Sequence, residues 1–164
     1  MLIYGLLVLI LQIGFFNRFL FAGYINPYVY VWFLLLMPVQ ISRSLSLIIA
    51  FVFGLCLDIF ENSGGLHAAV STFLIFVRPL LLNIMLSRSD QEIEELELSR
   101  VPLLPMMLYA LLGIFIHHFL LFLIESFNWR DFGTILERTL YSSLVSFLFI
   151  LVIQLWNYRS KEPL

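Results

Sequence analysis

Six stretches of apolar residues, separated by short polar segments, run along the chain and predict a helical membrane protein. A helix that crosses a hydrocarbon core of about 30 Å needs roughly 20 apolar residues. The predicted helices cover residues 2–21, 27–37, 45–60, 66–86, 102–124 and 139–156. The first two are short for full crossings, so they either thin the bilayer or form a re-entrant pair. We expect an all-α bundle of about six transmembrane helices in one domain, residues 1–164.

Composition supports this class and excludes several others. The chain is 62% hydrophobic and 12% charged, whereas soluble domains carry about 25% charged residues. The net charge of -2 gives no electrostatic argument for binding nucleic acid. Cys56 is the single cysteine, so no intrachain disulfide forms. The sequence also lacks a Cys/His cluster that would predict a metal site. We expect no cofactor.

The distribution of basic residues predicts the orientation, because cytoplasmic loops are enriched in Lys and Arg. With six crossings and the N-terminus inside, the cytoplasmic set is Arg43, Arg78, Arg88, Arg100, Arg159 and Lys161, and the outer set is Arg18, Arg130 and Arg138. Both termini are therefore expected in the cytoplasm. The long polar stretch 87–100 would be a cytoplasmic acidic loop, either simply solvated or a docking surface for a basic partner.

The segment from Ser46 to His67, SLIIAFVFGLCLDIFENSGGLH, predicts a tight helical hairpin. Counting back from Asp58 in steps of four gives Gly54, Ala50 and Ser46, a stripe of small residues on one helix face. Small residues at this spacing let two membrane helices approach closely. The stripe is therefore a candidate groove for the transmembrane helix of a partner, and Asn62 lies in the turn that ends the helix.

Asp58 and His67 flank the hairpin turn and allow two interpretations. In the first, Asp58 caps the backbone N–H groups of Gly64, Gly65 or Leu66 at the start of the fourth helix. In the second, the pair binds a ligand or a partner. A catalytic pair is disfavoured because no nucleophile has a recognisable setting. The two glycines lack the Lys and the Ser/Thr of a phosphate-binding loop, so they serve the turn.

Arg78, directly before Pro79, is expected to extend to the membrane interface beside a kinked helix. An ion pair between Arg78 and the acidic loop is the alternative.

Intramembrane histidines are candidates for function, and the fifth predicted helix carries His117 and His118. The other interpretation is structural, with the two rings hydrogen-bonded to hydroxyls of the sixth helix, which are Thr139, Ser142, Ser143 and Ser146. Gln12 and Gln154 are lone polar residues in apolar runs and predict hydrogen bonds between helices.

The run GLCLDIFENSGGLHAA, residues 54–69, resembles the bacterial rod shape-determining MreD family. The matched positions are Gly54, Leu55, Asp58, Gly65, His67 and Ala68. Supporting matches are Phe16-Asn17-Arg18, Gly23-Tyr24, Pro27, Leu36-Met37-Pro38 and Phe76-Val77-Arg78-Pro79, the last similar to versions from the Bacteroidota. The second half of the chain resembles the family only in length and helix pattern.

The resemblance implies a non-enzymatic scaffold of the cell-wall elongation machinery in the bacterial inner membrane. It implies binding to the bitopic protein MreC, and through it to MreB, RodA and a class B penicillin-binding transpeptidase, and a role in rod shape and peptidoglycan synthesis. It also implies a helical arrangement similar to the substrate-binding components of energy-coupling-factor transporters. The alternative function is a vitamin-type small-molecule binder with an outward pocket near Asp58, His67 and His117. An intramembrane enzyme is the least favoured class.

Overall fold

The computed structural model describes residues 2–18, 25–86, 98, 101–127 and 131–159, and this part of the chain is all-helical. The helices are α1 (Leu2–Gly14), α2 (Tyr30–Leu35), α3 (Arg43–Glu61), α4 (Leu66–Leu86), α5 (Leu103–Ser126) and α6 (Phe132–Arg159), with a 3₁₀ turn at Phe16–Arg18. The acidic loop 87–100 lies outside the described residues except for Leu98, as do Arg88, Arg100, Arg130 and Lys161. The orientation therefore stays a prediction.

Four helices are long and apolar enough to cross a membrane: α3, α4, α5 and the Phe132–Leu155 part of α6. The two remaining predicted spans are short. α1 has 13 residues and α2 has six. Because an α-helix rises 1.5 Å per residue, 13 residues reach only about 20 Å, less than the thickness of the hydrocarbon core. The described residues thus form a helical bundle with four helices of membrane-spanning length, and the predicted count of six is not confirmed.

The predicted bounds agree best for the hairpin helices. The fourth predicted helix, 66–86, coincides with α4, and α3 begins and ends close to the predicted 45–60. The sixth helix begins at Phe132 instead of 139, so it includes charged residues assigned to a loop. One of these, Arg138, donates to Glu125 Oε2 of α5 at 2.7 Å and lies 4.1 Å from the Phe122 ring centroid. These contacts explain why the helix tolerates the charge.

The second predicted span is a buried element at the centre of the bundle. Tyr30, Val31, Leu34 and Leu35 have no exposed surface, and Met37 has 1%. The segment contacts α1, α4 and α5. An apolar segment of this kind can be surrounded by lipid or by other parts of the protein. Here the segment is surrounded by other helices. We call residues 26–37 the central segment.

The α3–α4 hairpin is a close contact between two backbones. Ser46, Ala50, Gly54 and Asp58 are all buried on α3. A Cβ atom on Gly54 would lie 2.5 Å from the backbone N and Cα of Ala68, so only glycine allows the observed approach. The small-residue stripe therefore packs inside the chain, and α4 occupies the place that we expected a partner helix to take.

Three residues with positive φ make the turn between α3 and α4. Asn62 has φ 54°, Gly64 65° and Gly65 97°. Glycine adopts these values without steric cost, and asparagine is among the side chains that tolerate the left-handed region best. The N–H of Asn62 donates to the carbonyl of Asp58, which ends α3. We call the end of the bundle that contains this turn the turn end, and the end where α3 begins the Arg43 end.

Candidate functional site

Buried and partly buried polar side chains form two clusters at opposite ends of the central segment. The turn cluster, at the turn end, comprises Tyr28, Asp58, Glu61, Ser63, His67, His117 and His118. The arginine cluster, toward the Arg43 end, comprises Arg78, Tyr109 and the carbonyls of Leu35 and Met37. Together they include five of the eleven residues that the sequence marked as candidates, which are Asp58, His67, Arg78, His117 and His118.

Asp58 is the N-terminal cap of α4, although it belongs to α3. Its Oδ1 accepts the N–H of His67 and its Oδ2 the N–H of Ala68, both at 2.9 Å. These donors lie slightly further along the chain than the positions expected from the sequence. The Ser63 hydroxyl donates to Oδ1 at 2.5 Å, and His67 Nδ1 lies 3.1 Å away. All polar contacts of the carboxylate thus go to the hairpin itself.

Tyr28 fills the space between the hairpin and α5. Its ring centroid lies 5.0 Å from that of His67 and 5.4 Å from that of His118. Its hydroxyl donates to Glu61 Oε2 at 3.1 Å, and His67 Nε2 lies 3.4 Å from the same oxygen. His67 therefore stands between two carboxylates, those of Asp58 and Glu61, with an aromatic ring against its face.

The two adjacent histidines of α5 have different partners. His117 Nε2 lies 2.7 Å from the Tyr30 hydroxyl, which is 3.0 Å from Ser71 Oγ. His118 Nδ1 donates to the carbonyl of Ile114 at 2.8 Å, and its Nε2 lies 3.2 Å from Ser146 Oγ. The expected bonds to the sixth helix are thus correct for His118 and wrong for His117, which pairs with the central segment.

The other predicted hydroxyls of the sixth helix serve different groups. Thr139 Oγ1 donates to the carbonyl of Ile135, and Ser142 Oγ accepts the N–H of Asn26. Ser143 Oγ is buried and has no hydrogen-bond partner among the described residues. Ser143 therefore takes no part in either cluster.

Neutral side chains bind the N-terminal end of the central segment. Gln12 Oε1 accepts the N–H groups of Val29 and Tyr30 at 2.9 and 3.2 Å, and Gln12 Nε2 donates to the carbonyl of Pro27. Ser146 Oγ accepts the N–H of Tyr28 at 3.0 Å. Backbone groups at membrane depth have no water to bind, so each of these bonds satisfies a group that would otherwise be costly.

A buried cation binds the C-terminal end of the central segment. Arg78 is 5% exposed. Its Nε donates to the carbonyl of Leu35 at 3.2 Å, its Nη2 donates to the carbonyl of Met37, and the Tyr109 hydroxyl also donates to Leu35 O. The last carbonyls of a helix lack partners and carry its negative dipole end, which a cation stabilises.

The expectation that Arg78 extends to the interface is therefore wrong: the side chain turns inward to α2. The second expectation for this position is a helix kink at Pro79. That proline lies inside α4. The alternative ion pair with the acidic loop falls on residues outside the described part of the chain.

Two cavities lie beside the clusters. One of about 460 Å³ at the turn end is lined by Arg18, Asn26, Tyr28 and Glu61 among others. The other, of about 670 Å³, lies between α3 and α4 at the Arg43 end, and Arg78 is among its lining residues. Asp58, His67 and His117 line neither of these two cavities, whereas Tyr28 and Glu61 line the one at the turn end. No group of His, Cys, Asp and Glu in the described ranges is suited to hold a metal ion.

Sequence reasoning missed Tyr28 and Tyr30, which contact residues of the turn cluster, and Tyr109, which contacts Arg78 in the arginine cluster. A usable signal existed for the first two: the run Pro27-Tyr28-Val29-Tyr30 places two hydroxyls in a segment too short to cross a membrane. Tyr109 lies eight residues before His117 on α5, and nothing in the local sequence indicates that it is a partner for Arg78. Gln154, expected to bond another helix, makes no hydrogen bond with the described residues.

The chain matches no family model, no curated protein and no solved structure. The resemblance of residues 54–69 to the MreD family therefore depends on the residues themselves.

Proposed function

We propose that this chain is a non-enzymatic membrane scaffold of bacterial cell-wall elongation, as its resemblance to the MreD family implies. It would sit in the inner membrane with both termini in the cytoplasm. There it would bind the transmembrane helix of MreC, and through MreC join MreB, RodA and a class B penicillin-binding transpeptidase. Its contribution would be a rigid helical frame that positions the partner.

The observation that carries this proposal is the use of the matched motif. Gly54 allows the close approach of α4, Asp58 caps the N–H groups of His67 and Ala68, and Gly65 adopts a left-handed conformation in the turn. Each residue builds the hairpin, and none presents a reactive group to an open site. A motif used in this way supports a framework function over catalysis.

The outer faces of the frame offer surfaces for a partner helix. On α3, Val52 is 48% exposed and Ile59 is 70% exposed, in contrast to the fully buried Ala50 of the same helix. Because lipid removes the hydrophobic driving force between helices, a partner would be bound by close packing and interhelical hydrogen bonds. The buried stripe of α3 is excluded from this role as long as α4 stays in place.

Co-purification tests the proposal directly. The tagged chain, extracted from its native membrane in mild detergent, is expected to bring down MreC together with RodA and the transpeptidase. Single cysteines at Val52, Leu108 and Leu148, placed in a Cys56→Ser background, then map the docking face by cross-linking to the partner helix. Cysteine at Ala50 is the buried control. Recovery of an ATPase pair and a coupling subunit, without MreC, contradicts the scaffold function.

A second candidate function, a small-molecule binder of the vitamin-transporter type, is favoured by the cavity at the turn end. Its volume of about 460 Å³ lies in the range of ligand pockets, and the Tyr28 hydroxyl and the Glu61 carboxylate line it. Saturable binding of a vitamin by the pure protein, lost in Glu61→Gln and kept in Glu125→Gln, would support this function. Absence of any saturable ligand would leave the scaffold proposal as the better one.

A further inference from the structure

The cavity at the Arg43 end has polar and apolar walls that fit one class of ligand. Its apolar lining residues come from α4 and from the residues before α3, and include Val39, Ile41, Ile75 and Leu82. Its polar lining residues include Ser42, Arg43 and Arg78. A volume of about 670 Å³ is large enough for a headgroup with part of its acyl chains, and far larger than a bare anion requires.

Arg78 brings a buried positive charge to this cavity, and the part of the chain that the structure describes forms no ion pair with it. Its Nε and Nη2 bind the end of α2, whereas Nη1 has no hydrogen-bond partner among the described residues. The ion pairs found in the described ranges involve His67 and Arg138, so Arg78 meets only carbonyl and hydroxyl dipoles there. Within the described ranges, a guanidinium that is 95% buried thus has no anionic partner, and it lines the cavity.

The start of α3 adds a second source of positive potential at the same wall. Ser42, the N-cap residue, makes no side-chain cap hydrogen bond, and the first turn has no acidic residue. The first N–H groups of α3 are therefore not capped by side chains, and such groups favour the binding of an anion. Arg43 lies at this helix start, with its guanidinium carbon 4.9 Å from the Phe76 ring centroid.

We propose that this cavity binds the phosphate group of an anionic phospholipid. The phosphate would lie between Arg78 Nη1, Arg43 and the first turn of α3, and the acyl chains would follow the apolar wall between α3 and α4. The site uses nothing from the turn cluster and does not depend on the proposed scaffold function. Free phosphate shares the recognition chemistry but would leave the apolar wall unused.

Native mass spectrometry of the full chain tests this proposal. In detergent with equal amounts of phosphatidylglycerol and phosphatidylcholine, the protein is expected to retain one phosphatidylglycerol in preference. Arg43→Gln should reduce retention about tenfold, the effect of losing one charge-assisted contact. Arg138→Gln, at the turn end, is the matched control and should retain the lipid as the wild type does.

Ser42→Asp separates binding from folding. A carboxylate at the N-cap satisfies the first turn of α3 and keeps or raises thermal stability, while it repels the phosphate. We therefore expect retention to fall about tenfold with no loss in Tm. This variant is preferable to Arg78→Gln, which also removes the bonds to α2.

Three results would overturn the proposal. Equal retention of phosphatidylglycerol by the wild type, Arg43→Gln and Ser42→Asp would place the lipid elsewhere. Displacement of the lipid by millimolar inorganic phosphate would show that a free anion is the ligand. In the third result, the wild type binds no lipid, whereas a variant with the acids of residues 90–97 replaced by amides binds it. That result would show that the chain's own carboxylates occupy the site.

Discussion

The α3–α4 hairpin and the central segment are both buried, yet they are stabilised in different ways. In the hairpin, two helices of 19 and 21 residues touch through a glycine, and side-chain hydrogen bonds are needed only where α4 begins. The central segment contains a helix of six residues and receives side-chain hydrogen bonds at both ends. The difference comes from helix length.

A long helix satisfies most of its backbone internally, so its packing depends on shape. A helix of six residues leaves most of its N–H and C=O groups unpaired, because the first four donors and last four acceptors of any helix lack internal partners. In the interior of a membrane bundle other helices must supply the missing groups. The hairpin therefore depends on small residues, and the central segment depends on Gln12, Arg78 and two serines.

The largest effect is expected from Arg78→Met. The change keeps an apolar side chain, but it leaves the carbonyl of Met37 without its donor and the carbonyl of Leu35 with the Tyr109 hydroxyl alone. The free energy of unfolding should therefore fall by roughly 3 kcal/mol. Folded yield and Tm in detergent measure it. Arg18→Met, at an exposed arginine, should leave both unchanged. A stable Arg78→Met protein would show that the central segment does not need the cation.

Gly54→Ala tests the hairpin contact. A methyl group there meets the backbone of Ala68, which cannot move without separating the helices, so a loss of about 2–3 kcal/mol is expected. Gly113→Ala is the matched control: its methyl meets Leu35 side-chain carbons at 2.8 Å, which can rotate away. Equal Tm losses for the two variants would contradict the backbone contact.

Gln12→Leu removes the acceptor at the N-terminal end of the central segment. Two N–H groups and one carbonyl lose their partner, which should cost about 2 kcal/mol. Gln154→Leu changes the same residue type at a half-buried position with no hydrogen bond to the described residues, and its Tm should match the wild type. If Gln12→Leu and Gln154→Leu have the same Tm, the Gln12 contacts do not contribute to the stability of the protein.

Asp58→Ala should have the smallest effect of the four, a loss of about 1 kcal/mol from removing a helix cap. Asp58→Asn, which retains one acceptor oxygen, should fall between the alanine variant and the wild type. Hydrogen exchange at His67 and Ala68 would report the loss locally, since these N–H groups are the ones released. Unchanged protection there would show that the cap does not stabilise the start of α4.

The hairpin could be predicted from the sequence because its signals are local. Gly54, Asp58 and Gly65 lie within one short run, and spacing by four places the stripe on one face of a helix. The bounds of α4 follow from its apolar run between the turn and the acidic loop. The packing of the stripe against α4, instead of a partner, also follows once the turn is known to be short.

The central segment could not be predicted because its partners are distant in sequence. Hydropathy does not separate a segment that faces lipid from one that faces protein, so residues 27–37 resembled a short span. Arg78 looked like an interfacial arginine because the carbonyls that it binds belong to another helix, 41 and 43 residues earlier. Only the three-dimensional arrangement shows that the cation and the short helix need each other.

The hydrogen bonds of the central segment also limit when it can be completed during synthesis of the chain. The N–H groups of Asn26 and Tyr28 donate to serine hydroxyls that lie 116 and 118 residues later in the chain. At roughly 5–20 residues per second, a ribosome takes about 6–24 s to make that stretch. During this interval the segment leaves the ribosome before α6 exists. These two hydrogen bonds can therefore form only after α6 has been synthesised.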